Sequence, residues 1–133
     1  KRRVKMDKDS DTNIKLIKDV FEKMLLSFNT ANANGVVEHI EFPALAINTP
    51  AIAFRSREEF VDFFDAYPLP DDFSHTKSDR LDIYPIGGPI YCLDYDFKRL
   101  NHSNEILSQG RAIYFFRNDS GSWKVFSFWN GDI

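Results

Sequence analysis

Gly110-Arg-Ala-Ile-Tyr-Phe-Phe-Arg117, then Asn118-Asp-Ser-Gly-Ser122, then Trp123-Lys-Val-Phe-Ser-Phe-Trp129 is the stretch that decides the fold class. The outer runs are apolar and rich in residues that suit a pleated surface. The middle run is turn chemistry, so residues 110–129 read as a β-hairpin. Upstream, Ile90 to Leu100 reads as a long strand, and Ser74 to Tyr84 alternates loosely through Leu81 and Ile83. Turns are predicted at Pro85 to Pro89 and at Asn101 to Asn104. Ile106 to Phe116 and Trp123 to Trp129 complete a meander.

The first half is different. Ile14, Ile17, Phe21, Met24 and Phe28 recur at three- and four-residue spacing, which predicts an amphipathic helix from an N-cap at Asp11 or Thr12 to about Asn29. Gly35 to Ile40 suits one or two helical turns. Phe42 to Ile47 and Ile52 to Phe54 read as short strands around a Thr49-Pro50 bend. Ser56 with Glu59 forms a capping box that opens a helix to about Ala66, carrying Phe60, Val61, Phe63 and Phe64. Pro68 and Pro70 stop it. Helices first and sheet last is an α+β order. Residues 1–11 are expected to be a disordered or loosely attached tail, and 12–133 one domain.

Composition narrows the function classes. The 133 residues are 43% hydrophobic and 28% charged, with a net charge of −3, so nothing marks a nucleic-acid surface. No apolar run is long enough to span a bilayer, and no membrane partner is expected. Thirteen phenylalanines suggest a core or cavity with large flat walls. Cys92 is the single cysteine and reads as a small core residue with no activating base in its surroundings. His39, His75 and His102 are scattered without ligand spacing, so no metal is expected. Gly87-Gly88-Pro89 is a turn rather than a phosphate loop, and no cofactor is expected. Whether a leader precedes Lys1 is not legible; a soluble, cytoplasmic protein is expected over a secreted one.

The long first helix, the Asn-Ala-Asn-Gly turn at 32–35, the Phe42-Pro43-Ala44 step, the Ser56-Arg-Glu-Glu-Phe60 helix start and the closing hairpin together resemble NTF2-like proteins of the SnoaL-like, cystatin-like α+β kind. The resemblance covers roughly Thr12 to Trp129. It implies a strongly curved, mostly antiparallel sheet wrapped around N-terminal helices to make a cone with an internal pocket. It also implies pairing of two copies through the convex sheet face. The family holds isomerases, dehydratases, epoxide hydrolases, polyketide cyclases and non-catalytic modules, so the fold does not name a reaction. The family's catalytic sets do not transfer. No His stands near Trp129, the first helix has no Tyr, the strand at 42–47 has no Asp, and no Asp-Arg-Asp trio is spaced as required.

Alternation along the strands orders the remaining candidates. Tyr91, Leu93, Tyr95 and Phe97 share one face; Cys92, Asp94, Asp96 and Lys98 share the other. In the last strand, Trp123, Val125, Ser127 and Trp129 are expected opposite Lys124, Phe126 and Phe128. Large apolar groups on both faces suggest that the second face is covered by another subunit, hence a homodimer. The catalytic candidates are Asp94 and Asp96, which can share a proton, face solvent or pair with Lys98 and Arg111, and His39, a pocket-rim base or a solvated loop residue. Arg111, Tyr114, Tyr95 and Phe128 are the ligand-binding candidates, with Arg111 able to hold a carboxylate or to pair with an acid on the next strand. The reading is therefore a cone-shaped pocket for a small, largely apolar molecule, with no reaction claimed. The alternative is a non-catalytic dimerisation or protein-interaction module whose cone is filled with side chains.

Overall fold

In the computed structural model, which describes residues 2–132 and the side chains of 10–131, three helices precede and interrupt a six-stranded sheet. The elements are α1 (Arg2–Asn29), α2 (Ala33–Val37), β1 (Ile40–Ala46), β2 (Ile52–Phe54), α3 (Arg57–Asp65), β3 (His75–Gly87), β4 (Ile90–Leu100), β5 (Ile106–Arg117) and β6 (Lys124–Asp132). The α+β class and the order of elements follow the sequence reading. Helical backbone begins at Arg2, however, rather than at Asp11 or Thr12. The preceding residues contain no Gly or Pro, and Arg, Lys and Met are good helix formers, so nothing local stops the helix there. How firmly residues 1–9 attach rests on side chains outside the described residues.

Local chemistry sets the helix ends. Asn32 caps α2 by accepting a hydrogen bond from the Gly35 amide at 3.1 Å. Ser56 caps α3, its hydroxyl accepting from the Glu59 amide at 3.3 Å, while the Glu59 carboxylate accepts from the Arg55 amide at 2.9 Å. In the β5–β6 turn, Asn118 Oδ1 accepts from the Gly121 amide at 2.9 Å, and Gly121 takes a φ of +92° that side chains disfavour.

The sheet runs β2-β1-β6-β5-β4-β3, with β1 parallel to β6 and every other pair antiparallel. It is curved and unclosed, and the helices pack into it. Ile17, Phe21 and Met24, on one stripe of α1, meet Leu93, Tyr95, Phe97, Ala112 and Phe116 from the inner faces of β4 and β5. Asn29 at the end of α1 accepts from the Thr76 amide at 2.9 Å, pinning the helix to the start of β3. Gly110 is required by close approach: a Cβ there would lie 2.4 Å from the Phe97 ring and 2.7 Å from the Gly131 carbonyl oxygen.

One register feature changes the expected faces. Phe115 pairs with Ser127 but Phe116 pairs with Val125, so Phe126 and Ser127 together occupy a bulge. Regular alternation would place Val125 and Trp129 on one face. The extra residue instead puts Val125 and Phe128 inward, both buried in the core, and turns Phe126 and Trp129 outward. Nor does the outer face of β4 need a second subunit to be covered. Cys92 and Asp94 are buried there under side chains of the same chain, among them Tyr84, Arg80 and Arg111.

Candidate functional site

The inner faces of β3 to β6, with α1 and α3, leave two adjoining spaces of about 50 and 70 Å³. They share Met24, Phe28, Val36, Tyr114 and Asn130 as walls. About 10–15 Å³ accommodates one water, so each space takes several waters or part of a small molecule. The larger is lined by Phe60, Phe63, Phe64, Tyr67 and Phe128, which belong to one network of ring contacts; Phe60 lies 6.3 Å from Phe128, edge to face. The smaller adds Tyr95, Phe97 and two polar residues, Thr76 and Arg99, to the shared Asn130.

Arg99 is the unusual member. It lies on the inner face of β4, where alternation continues from Tyr95 and Phe97, and it is only 8% exposed. Its Nη2 donates to the Tyr67 hydroxyl at 3.0 Å, and its guanidinium lies 4.8 Å from the Phe97 ring centre, 5.4 Å from Tyr67 and 5.9 Å from Phe28. Its Nε donates to nothing among the described residues, and no carboxylate there forms an ion pair with it. The buried hydroxyls of Thr76 and Ser108 also lack partners. The three residues form a single row, since Thr76 on β3 and Ser108 on β5 each pair with Arg99 on β4.

Three of the residues singled out from the sequence meet in this interior. Tyr95 and Tyr114 have ring centres 6.0 Å apart, and Tyr114 lies 6.2 Å from Phe128. Burial pushes both phenols upward, Tyr95 well above its ordinary value, so both hydroxyls stay protonated at neutral pH.

The charged candidates are elsewhere. Arg111 does not reach the interior: it stands on the outer face, where Nε and Nη2 donate to the two Asp94 oxygens at 2.9 and 2.6 Å. Arg80 joins from β3, donating to Asp94 at 2.7 Å and to both Asp96 oxygens at 3.0 Å, and to Asp82 at 2.6 Å. The β3 bulge between Ser78 and Arg80 delivers that guanidinium to the outer face. Hydrogen bonds from Arg111 and then Arg80 hold the Asp94 carboxyl down at about 2, and Arg80 lowers Asp96. The two carboxylates thus pair with Arg111 and Arg80, whereas Lys98 pairs with Asp79 at 3.2 Å.

His39 lines neither space. It sits half-buried just before β1, where its carbonyl accepts from the Val125 amide of β6 at 2.8 Å, and desolvation lowers its imidazole. Burial likewise raises the Cys92 thiol, leaving it a poor nucleophile. Among the described residues no three His, Cys, Asp or Glu side chains converge as a metal site, and no helix is long and apolar enough to cross a membrane.

Thr76, Arg99, Tyr67 and Asn130 line the interior without having been read as site residues from the sequence. Arg99 carried a signal, because it continues the odd-numbered inward series of Tyr91, Leu93, Tyr95 and Phe97. Asn130 carried one too, because it lies two residues beyond the candidate Phe128 with no bulge between them.

No family model and no curated protein matches the chain. Solved structures do. An NTF2-like protein of unknown function from Pseudomonas putida superposes with a TM-score of 0.73 at 14% identity, covering 92% of this chain and 87% of that one. A cystatin-like domain of unknown function from Nostoc punctiforme gives 0.73 at 12% identity, covering 92% and 78%. A ketosteroid isomerase-like protein from Erwinia carotovora gives 0.68 at 12% identity, covering 90% and 95%. Such identities speak for the backbone arrangement alone.

Proposed function

We propose that this chain, which has the NTF2-like, cystatin-like α+β fold, is a binding protein whose cone interior takes a small, largely apolar molecule. The observation that carries the reading is the pair of adjoining spaces walled by aromatic side chains and meeting at Tyr114 and Asn130. The lining contains hydrogen-bonding groups but no carboxylate and no imidazole, so it supports binding and supplies no acid–base pair for a reaction.

The test is thermal unfolding with small neutral aromatic probes, benzyl alcohol and phenol, followed by amide NMR mapping. A probe at about a hundred times its Kd adds about 2.7 kcal/mol of stability. The expected result is a saturable upward shift with signal changes at Tyr114 and Asn130 and none at the outer-face Arg111. No saturable shift, or changes confined to the outer face, overturns the reading.

A second observation favours self-association alongside binding. Ile113, Phe115, Phe126 and Trp129 are half-buried on the outward side of β5 and β6, next to the ion-pair network. A homodimer through this face predicts a sedimentation coefficient for two chains that falls to that of one in Trp129→Glu. A single-chain value for the unaltered protein at high concentration removes this part.

A further inference from the structure

We propose that the interior site is built for an anion, the carboxylate of a small hydrophobic organic acid held by Arg99 with Thr76. This rests on the small-molecule reading above and names its substrate class.

Three observations converge. First, Arg99 is a cation without a counter-charge among the described residues. A guanidinium keeps its charge inside a protein, and burying one unpaired is costly. Arg80, Arg111 and Arg117, all more exposed, each hold at least one carboxylate: Arg80 and Arg111 hold Asp94, and Arg117 holds Glu41. Arg99, the buried one, holds only the neutral Tyr67 hydroxyl among the described residues and lies among three aromatic rings. Second, of the four buried side-chain polar atoms without a partner among the described residues, two belong to this lining. They are Arg99 Nε and the Thr76 hydroxyl, at paired positions of β4 and β3; the Ser108 hydroxyl, opposite Arg99 on β5, lines neither space. Unpartnered buried donors in a folded protein call for an explanation, and an oxyanion accepting from both supplies one. Third, the lining carries no acidic side chain to repel an anion. The rings of Phe28, Phe97 and Tyr95 instead offer flat apolar walls to the rest of the ligand. Those walls favour an organic acid over inorganic phosphate, which would leave them unfilled.

The experiment compares matched pairs on the unaltered protein by calorimetry and thermal unfolding at pH 7: isobutyrate with isobutyramide, benzoate with benzamide, and inorganic phosphate alone. A hydrogen-bonded contact to a charged group predicts that the acid binds about 10- to 100-fold more tightly than its amide. In Arg99→Gln the acid and amide should bind within a few-fold of each other, while Arg111→Gln on the outer face should retain the preference. Amides that bind as well as their acids overturn the anion inference and leave the apolar pocket standing. No binding by any organic probe overturns both. Phosphate binding with no gain from an organic acid overturns the assignment to organic acids. If Arg99→Gln does not fold, the acid–amide ratio in the unaltered protein decides by itself.

Discussion

Replacing Asp94 with Asn would test the electrostatic organisation of the outer face most directly. Asp94 is 6% exposed and accepts hydrogen bonds from Arg111 and Arg80, which hold its carboxyl at about 2 against an ordinary 3.8. At about 1.36 kcal/mol for each tenfold change in proton affinity, that difference amounts to about 2 kcal/mol. Arg80 and Arg111 are partly exposed, so water screens the pairs and this figure is an upper value for the charge contribution. The sign follows from the depressed folded value. The unfolded chain binds the proton more readily, so the stabilisation is complete above about pH 5, is lost as pH falls, and is gone below about pH 2. Urea unfolding of the unaltered protein and of Asp94→Asn, from pH 7 to pH 2, measures it. At pH 7 the variant should be less stable by up to about 2 kcal/mol, and the two curves should converge at the acid end. Equal stability at pH 7, or a gap that stays constant down to pH 2, would refute the assignment of that depressed carboxyl to Asp94.

Other positions make separate demands. Gly110→Ala puts a methyl against the Phe97 ring and the Gly131 carbonyl, and should cost about 1–3 kcal/mol as overpacking in chemical unfolding. An unchanged midpoint would show that Phe97 can move aside. Phe116 is fully buried, so Phe116→Ala should lose about 3–5 kcal/mol; a loss under about 1 kcal/mol would mean the site collapses without a cavity. Desolvation lowers the His39 imidazole, so its neutral form is favoured by folding and stability should fall as pH drops through the ordinary histidine value of 6.5. His39→Gln should flatten the stability curve between about pH 7 and pH 5, and an unchanged slope would point to another group. Cys92 is 3% exposed with a raised thiol, so a thiol-specific dye should label it only as fast as the protein opens. Rapid labelling under native conditions would place it elsewhere.

Much of the scaffold was legible because its signals are local. Ser56 and Glu59 form their cap from residues three apart, and Asn118 with Gly121 close the β5–β6 turn within four residues. Period-two alternation along β4 correctly separated Tyr91, Leu93, Tyr95 and Phe97 from Cys92, Asp94 and Asp96. The same rule already opposed two ligand-binding candidates. Arg111 and Tyr114 are an odd number of positions apart on an unbroken part of β5, so one cavity does not receive both.

By itself, then, the sequence determined the order of helices and strands, the caps and turns, and the two-sided character of β4, because each depends on neighbours a few residues away. The tertiary structure decided which arginine faces inward without an acid and which is neutralised outside. It also decided that Phe128 and Asn130 face the interior while Trp129 does not. Those outcomes depend on two bulges and on pairing across β3 to β6, where partners such as Thr76, Arg99 and Ser108 are brought together over long separations in the chain. A single inserted residue in a strand reverses every side chain beyond it, and only the pairing strand shows where that insertion falls.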